Sequence, residues 1–291
     1  MRLKTDTVAA PIAVLIAAMF CFQLGAVLAK GLFPIVGAAG TTALRMGLAS
    51  LMLLAVWRPW RLRPDPREIR VIIAYGLALG CMNFCFYLSL RSIPLGIAVA
   101  LEFGGPLALA MAASRRAVDF VWILMAAAGL LALLPIGLGS KSLDAAGVVY
   151  ALAAGVFWAF YIFFGRKAGA AHGGQTTALG MVVAAIVIVP IGAVQAGAQL
   201  LSPSILPAAL GMAVLSSALP YSLEMLAMSK LPTRTVGVLM SLDPALGALS
   251  GLLFLGEHLN WIQWLAVACI MAASAGSAAT SRDTTPQLLP D

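Results

Sequence analysis

The sequence predicts an all-α integral membrane protein: ten transmembrane helices forming two five-helix repeats of inverted topology, with the N and C termini in the cytoplasm. Three observations predict it. Of the 291 residues, 62% are hydrophobic and 10% charged, and the mean hydropathy is +1.00, far above that of a water-soluble domain. Apolar stretches of about 20 residues, the length that crosses a hydrocarbon core of about 30 Å, follow one another along almost the whole chain. A pattern marked by two prolines in the first half returns in the second.

The spans can be taken in order from the breaks that Arg, Lys, Pro and Gly make between them. The first, 10–29, follows Arg2 and Lys4. It resembles the apolar region of a signal peptide, but no A-x-A cleavage site precedes Lys30 and nine further spans follow. The second, 39–57, ends at the basic run "RPWRLR" (58–63), and the third covers 69–90. The fourth, 93–113, opens at Pro94 and stops before Arg115 and Arg116; the fifth is 118–138. The sixth, 146–165, stops at Arg166 and Lys167, and the seventh, eighth, ninth and tenth cover 176–196, 205–228, 233–255 and 260–280.

Alternating these spans places 14 of the 18 Lys and Arg residues on one side: Arg2, Lys4, Arg58, Arg61, Arg63, Arg67, Arg70, Arg115, Arg116, Arg166, Lys167, Lys230, Arg234 and Arg282. Lys30, Arg91 and Lys141 fall on the other. Cytoplasmic loops carry the excess of cations, so that side is the cytoplasm and the net charge of +7 faces lipid headgroups. No basic run is interleaved with aromatics, which argues against nucleic acid as a partner. Cys21, Cys81, Cys85 and Cys269 all fall within spans without metal-ligand spacing, and both His172 and His258 lie outside the spans; no metal and no cofactor is expected.

The repeat is carried by "LRSIPLGIAVALEFGGPLALA", with Pro94 and Pro106, and "MSKLPTRTVGVLMSLDPALGA", with Pro232 and Pro244. Both pairs are twelve residues apart and the pairs are offset by 138. Five helices per copy is an odd number, so the copies enter the membrane from opposite sides. Inverted repeats of this kind are a transporter signature, with the site at their interface. The first repeat is placed at 1–140, the second at 141–280, and 281–291 is read as a disordered cytoplasmic tail. Pro94 and Pro232 suit helix starts, whereas Pro106 and Pro244 are expected to kink their helices.

Polar residues inside the spans are the candidate site, because a charge facing lipid at mid-depth is costly and usually serves a function. Glu102, Arg45, Asn83 and Gln23 fall at similar depths and form one layer nearer the outer face. This layer suits a zwitterion, with Arg45 on a carboxylate and Glu102 on an ammonium or a proton. The alternative is a structural Arg45–Glu102 ion pair. A second layer, nearer the cytoplasm, holds Glu224, Arg234 and Asp243; for Glu224, pairing with Arg234 competes with a site role. Trp158 and Tyr161 in "GVFWAFYIFF" are either a substrate wall or packing, and Tyr87 and Tyr221 carry hydroxyls that need partners. No nucleophile elbow, zinc-protease motif, Walker loop or dinucleotide fingerprint occurs, so the chain reads as no enzyme, and any uphill transport draws on an ion gradient.

The runs "PWRLR" (59–63), "IPLGIAVALEFGGPLALA" (93–110), "SRRAVDFVW" (114–122), "LSSALPYSLEM" (215–225) and "LPTRTVGVLMSLDPALGALSG" (231–251) resemble bacterial threonine/homoserine exporters of the EamA branch of the drug/metabolite transporter superfamily. The resemblance covers nearly the whole chain. It implies a ten-helix fold around a central cavity, an inner-membrane location and efflux driven by the proton gradient. It carries over Glu102, Pro106, Tyr221, Glu224, Arg234, Asp243 and Pro244, and keeps a glutamine at Gln23; Gly104 departs from a position that often bears a hydroxyl. The expected activity is export of small neutral amino acids, threonine and homoserine first, by proton antiport, with another small polar metabolite or a drug as the alternative substrate. The expected partners are that solute, protons and the bilayer, for a monomer or a dimer.

Overall fold

The computed structural model of the chain describes residues 6–112, 117–133, 143–228, 230–231 and 233–280. Every regular element among them is helical: α1 (Asp6–Trp57), α2 (Pro66–Ser89), α3 (Leu95–Ala112), α4 (Ala117–Leu133), α5 (Ala145–Ala196), α6 (Leu206–Ala213), α7 (Leu219–Met228), α8 (Thr233–Met240), α9 (Asp243–Leu255) and α10 (Trp261–Thr280), with short 3-10 turns and one π-helical turn. Helices are what an apolar solvent dictates, because each satisfies its own backbone polar groups. Six helical stretches are long and apolar enough to cross a membrane: Ala9–Trp57, Pro66–Ser89, Ala145–Gly165, Gly174–Leu201, Thr235–Leu255 and Trp261–Thr280. Shorter apolar stretches cover Leu95–Leu109, Phe120–Leu133 and Leu206–Ser217.

Two elements exceed one crossing. The 52 residues of α1 would extend for about 78 Å if straight. They divide at Gly37, whose φ of 69° and ψ of 172° are open to a residue without a Cβ. α5 doubles back as well, which its packing against Tyr75 of α2 reveals. A side-chain carbon on Gly165 would lie 3.2 Å from the Tyr75 ring, and one on Gly180 only 2.3 Å from it. On a straight helix those glycines stand about 22 Å apart, so the chain reverses between them. α8 and α9 are separated by a turn at Ser241 and Leu242, and Pro244 sits in the first turn of α9. Pro106 lies within α3, which runs on to Ala112.

Helix starts at the membrane surface are fixed by polar caps. Asp65 accepts from the Arg67 and Glu68 amides at 2.7 Å while Glu68 accepts from the Asp65 amide at 2.9 Å, a reciprocal cap with Pro66 in the first turn of α2. Asn260 and Gln263 exchange bonds in the same way, at 2.9 Å each, before α10. Asp144 caps α5 by accepting from the Gly147 amide at 2.9 Å. The Ser92 hydroxyl and that amide hold the Asp144 carboxyl below the usual carboxylate range.

The bundle is apolar outside and small inside. Leu51, Phe120, Leu124, Val194, Leu253 and Trp261 are exposed, as residues facing lipid should be, and Ala18, Ala29, Ala49, Ala154, Ala184 and Ala273 are buried. Small residues bring backbones together at α3, the element that carries Glu102. A Cβ on Gly155 of α5 would lie 2.6 Å from the Glu102 carbonyl oxygen, and one on Gly96 would lie 2.4 Å from the Ala248 Cα of α9.

Among the described residues one ion pair closes an end of this bundle. Lys30 Nζ lies 2.5 Å from Glu257 Oε1, with the two side chains 20% and 15% exposed. The other carboxylate oxygen of Glu257 accepts from the Leu95 amide at 2.7 Å, placing a negative charge at the start of α3. Gly256, at φ 64°, turns the chain out of α9 so that Glu257 reaches both partners. Replacing Glu257 by alanine is expected to cost about 1–2 kcal/mol of stability, the value of hydrogen bonds to a partly buried charge, with Glu257→Gln intermediate; unfolding of the purified protein in detergent measures it. Stability from the Asp144 cap is full above about pH 4 and is lost as the pH falls through the lowered value of its carboxyl. The acid limb of the unfolding profile should flatten in Asp144→Asn.

Candidate functional site

α1, α2, α3 and α9 bring polar side chains into an otherwise apolar interior. Arg45, Asn83, Gln23 and Glu102 are 5%, 4%, 4% and 8% exposed. Depth follows from the helical rise. Arg45 lies eight residues after Gly37, Asn83 six before the end of α2 and Glu102 seven after the start of α3, or about 9–12 Å from one end of the bundle.

Arg45 is the most heavily held of these groups. Nη1 donates to Asn83 Oδ1, and Nη2 donates to the Ser216 carbonyl oxygen at 2.8 Å. The guanidinium carbon stands 5.3 Å from the centre of the Tyr87 ring, a cation–π distance. Asn83 and Tyr87 are one turn apart on α2 and present the same face to Arg45. The Asn83 amide donates back to the Leu79 carbonyl at 2.9 Å, which leaves its oxygen for the guanidinium. Nε of Arg45 is buried without a partner. The alternative of an Arg45–Glu102 ion pair is not what the structure contains, since the guanidinium's bonds go to Asn83 and Ser216.

The carboxyls gather close by. Gln23 Nε2 donates to Asp243 Oδ1 at 3.0 Å, while Gln23 Oε1 lies over Gly247, where a Cβ would come within 3.3 Å. Glu102 is within electrostatic reach of both Asp243 and Arg45, and Glu224, half-buried on α7, is within reach of Asp243. The guanidinium thus faces one carboxyl, Glu102, and Asp243 links that carboxyl to Glu224 in a row of three acids. The two polar layers expected from sequence are joined here, because Asp243 opens α9 and the long amide of Gln23 spans the gap between them.

The remaining candidates divide. Trp158 meets Phe103, the neighbour of Glu102, edge to face with ring centres 5.6 Å apart. Tyr161 stacks on Tyr75 at 5.0 Å and belongs to the packing between α2 and α5. Tyr221 lies on α7 and Arg234 on α8, but their side chains fall outside the described residues, and so does the Glu224–Arg234 pairing. Sequence reading missed Ser216, whose contribution is a backbone oxygen. The signal for it is Pro220, four residues later in "SSALPYS". A cavity of about 290 Å³ near Gly37, Arg91, Gln195 and Gln199 shares no lining residue with this cluster.

Residues 145–278 match the EamA-like transporter family. The threonine/homoserine exporter RhtA of Salmonella typhimurium strain LT2 is 57% identical over 272 residues, 94% of this chain and 92% of that protein. The exporter of the same name in Escherichia coli K12 is 54% identical over the same shares. The uncharacterized transporter YwfM of Bacillus subtilis strain 168 is 25% identical over 89% of this chain and 90% of its own. A protein crystal structure superposes with a TM-score of 0.58 over 92% of this chain and 96% of its own at 18% identity, a likeness of fold alone.

Asn83→Leu removes the acceptor of Arg45 Nη1 and strands a buried cation. A loss of about 3 kcal/mol in stability is expected, against less than about 1 kcal/mol for Asn83→Asp, which keeps the oxygen. Denaturant unfolding of the two variants in micelles measures the difference.

Proposed function

This chain belongs to the EamA-like transporter family, and on that premise we propose that it exports small neutral amino acids, threonine and homoserine first, by proton-coupled antiport. It is a multi-pass protein of the bacterial inner membrane. Amino-acid export is what the names of its 54–57% identical relatives support.

The observation that carries the reading is the charge arrangement in the interior: one guanidinium within reach of Glu102, which Asp243 backs, held between elements of both halves of the chain. An amino acid presents a carboxylate and an ammonium a few ångströms apart. Arg45 receives the carboxylate with the donors left free by Asn83 and Ser216, and Glu102, backed by Asp243, receives the ammonium. A proton arriving from outside neutralises Glu102 and releases the ammonium outward. Its departure to the cytoplasm restores the carboxylate for the next substrate. One carboxyl serving ammonium and proton in turn makes the two exclude each other, which is the requirement of antiport.

Dividing α1 at Gly37 and α5 between Gly165 and Gly180, with α6–α7 and α8–α9 each counted as one crossing, gives ten spans. This supports two inverted repeats, 1–140 and 141–280, which rock about the site to open it to each side alternately. Gln23–Asp243 and Arg45–Ser216 join residues of different repeats, so the site lies where the movement acts.

The test is efflux of labelled threonine and homoserine from liposomes under an imposed pH gradient. Wild type should show gradient-driven efflux. Glu102→Gln, fixed in the neutral state that releases the ammonium, should lose gradient-driven efflux by at least tenfold and threonine-for-threonine exchange with it. Unchanged gradient-driven efflux in the variant moves the coupling to Asp243 or Glu224. No threonine or homoserine flux in wild type overturns the substrate assignment.

A further inference from the structure

In an α-helix the amide of residue 220 would donate to the carbonyl of residue 216, but Pro220 has no amide N–H. The helix around it has slipped as well. Val214–Ala218 is a π-helical turn, and the Leu219 amide reaches back five residues to the Val214 carbonyl. Pro220 therefore cannot satisfy the Ser216 carbonyl, and Ser216 is buried. Arg45 takes it instead, at 2.8 Å.

The surroundings hold that carbonyl in place. The Ser216 hydroxyl donates to the Met212 carbonyl at 2.6 Å, securing the turn from its own N-terminal side. Gly25 of α1 lies directly against it: a Cβ there would stand 2.5 Å from the Ser216 Cβ and 3.0 Å from its Cα. From α2, Asn83 and Tyr87 supply the other anchor and a ring face. Two fixed acceptors on different helices define the orientation of a planar, forked cation in a way that one acceptor does not.

We infer that Pro220 is the positioning residue for the substrate-binding cation, reserving the Ser216 carbonyl as the second anchor that orients Arg45. The inference rests on the reading of Arg45 as the group that receives the substrate carboxylate. Restoring an N–H at position 220 gives Ser216 a competing donor and draws the turn back towards regular helix. Arg45 then loses the geometry of its second bond, although it contacts no altered side chain.

A double-mutant cycle of Pro220→Ala and Arg45→Gln in the purified full-length protein tests this. Thermal unfolding in detergent is read for all four proteins, and threonine efflux kinetics in liposomes for wild type and Pro220→Ala. Expected are non-additive unfolding effects, with Pro220→Ala costing little once Arg45 is gone. A rise of about tenfold in threonine KM is also expected, the value of one hydrogen bond to a charged group, with maximal rate within about twofold. Additive unfolding effects overturn the inference, and so does an unchanged KM, since a merely structural proline would act independently of Arg45. Should Pro220→Ala fail to fold, Pro220→Ser restores the same amide. If wild type carries no threonine, the assigned substrate is wrong, and the unfolding cycle still decides whether Pro220 holds Arg45.

Discussion

A guanidinium buried in an apolar interior is the constraint around which this bundle is arranged. In hydrocarbon an unpaired charge costs several kcal/mol, and so does an unpaired backbone carbonyl. The protein sets one against the other. Arg45 requires acceptors, and a proline-interrupted helix supplies a carbonyl that has lost its own donor. Asn83 and Tyr87 complete the surroundings from one face of α2. These contacts fix how α1, α2 and the α6–α7 segment meet, and the acidic side of the cluster is placed relative to them.

The carboxyls obey the same rule by another means. Gln23 satisfies Asp243 with a neutral donor, which leaves the positive charge of Arg45 uncommitted to any protein carboxylate. A fully paired Arg45–Glu102 bridge would have stabilised the fold and closed the site to a zwitterion. The polar partners are divided instead: the cation is held by neutral acceptors and one acid by a neutral donor, which in the proposed mechanism keeps complementary charges for the substrate. Close packing makes that division possible, because Gly155 lets α5 approach α3 at Glu102 and Gly247 lets α9 approach Gln23 and Val99.

Much of this was legible in the chain itself. The bilayer imposes a length and a polarity on every span, so composition and the spacing of Arg, Pro and Gly sufficed to mark the chain as an all-helical membrane protein. The cost of intramembrane charge singled out Glu102, Arg45 and Asp243. Which residues meet was a different matter. Gln23 and Asp243 are 220 positions apart and Lys30 and Glu257 are 227 apart, and no local pattern encodes pairings over such distances. Tyr161 was open between a substrate wall and packing, and only Tyr75 of α2 stacked against it decides for packing. Ser216 was hidden for a further reason: its functional atom is the one every residue shares, and only the missing N–H of Pro220 distinguishes it.

The distribution of strong and weak ties also bears on movement. At the end of the bundle where Lys30 meets Glu257, a charged pair and a capped helix start join α1 and α3 to the turn after α9. At mid-depth the ties between the halves are single hydrogen bonds, Gln23 to Asp243 and Arg45 to Ser216. Each is worth about 1–3 kcal/mol, within reach of what a bound zwitterion can replace by offering its own carboxylate and ammonium. A ligand shifts a conformational equilibrium only by its differential affinity for the two states. In the proposed mechanism, a small amino acid gains that difference by substituting its own charges for these bonds between the halves, beginning at the buried cation.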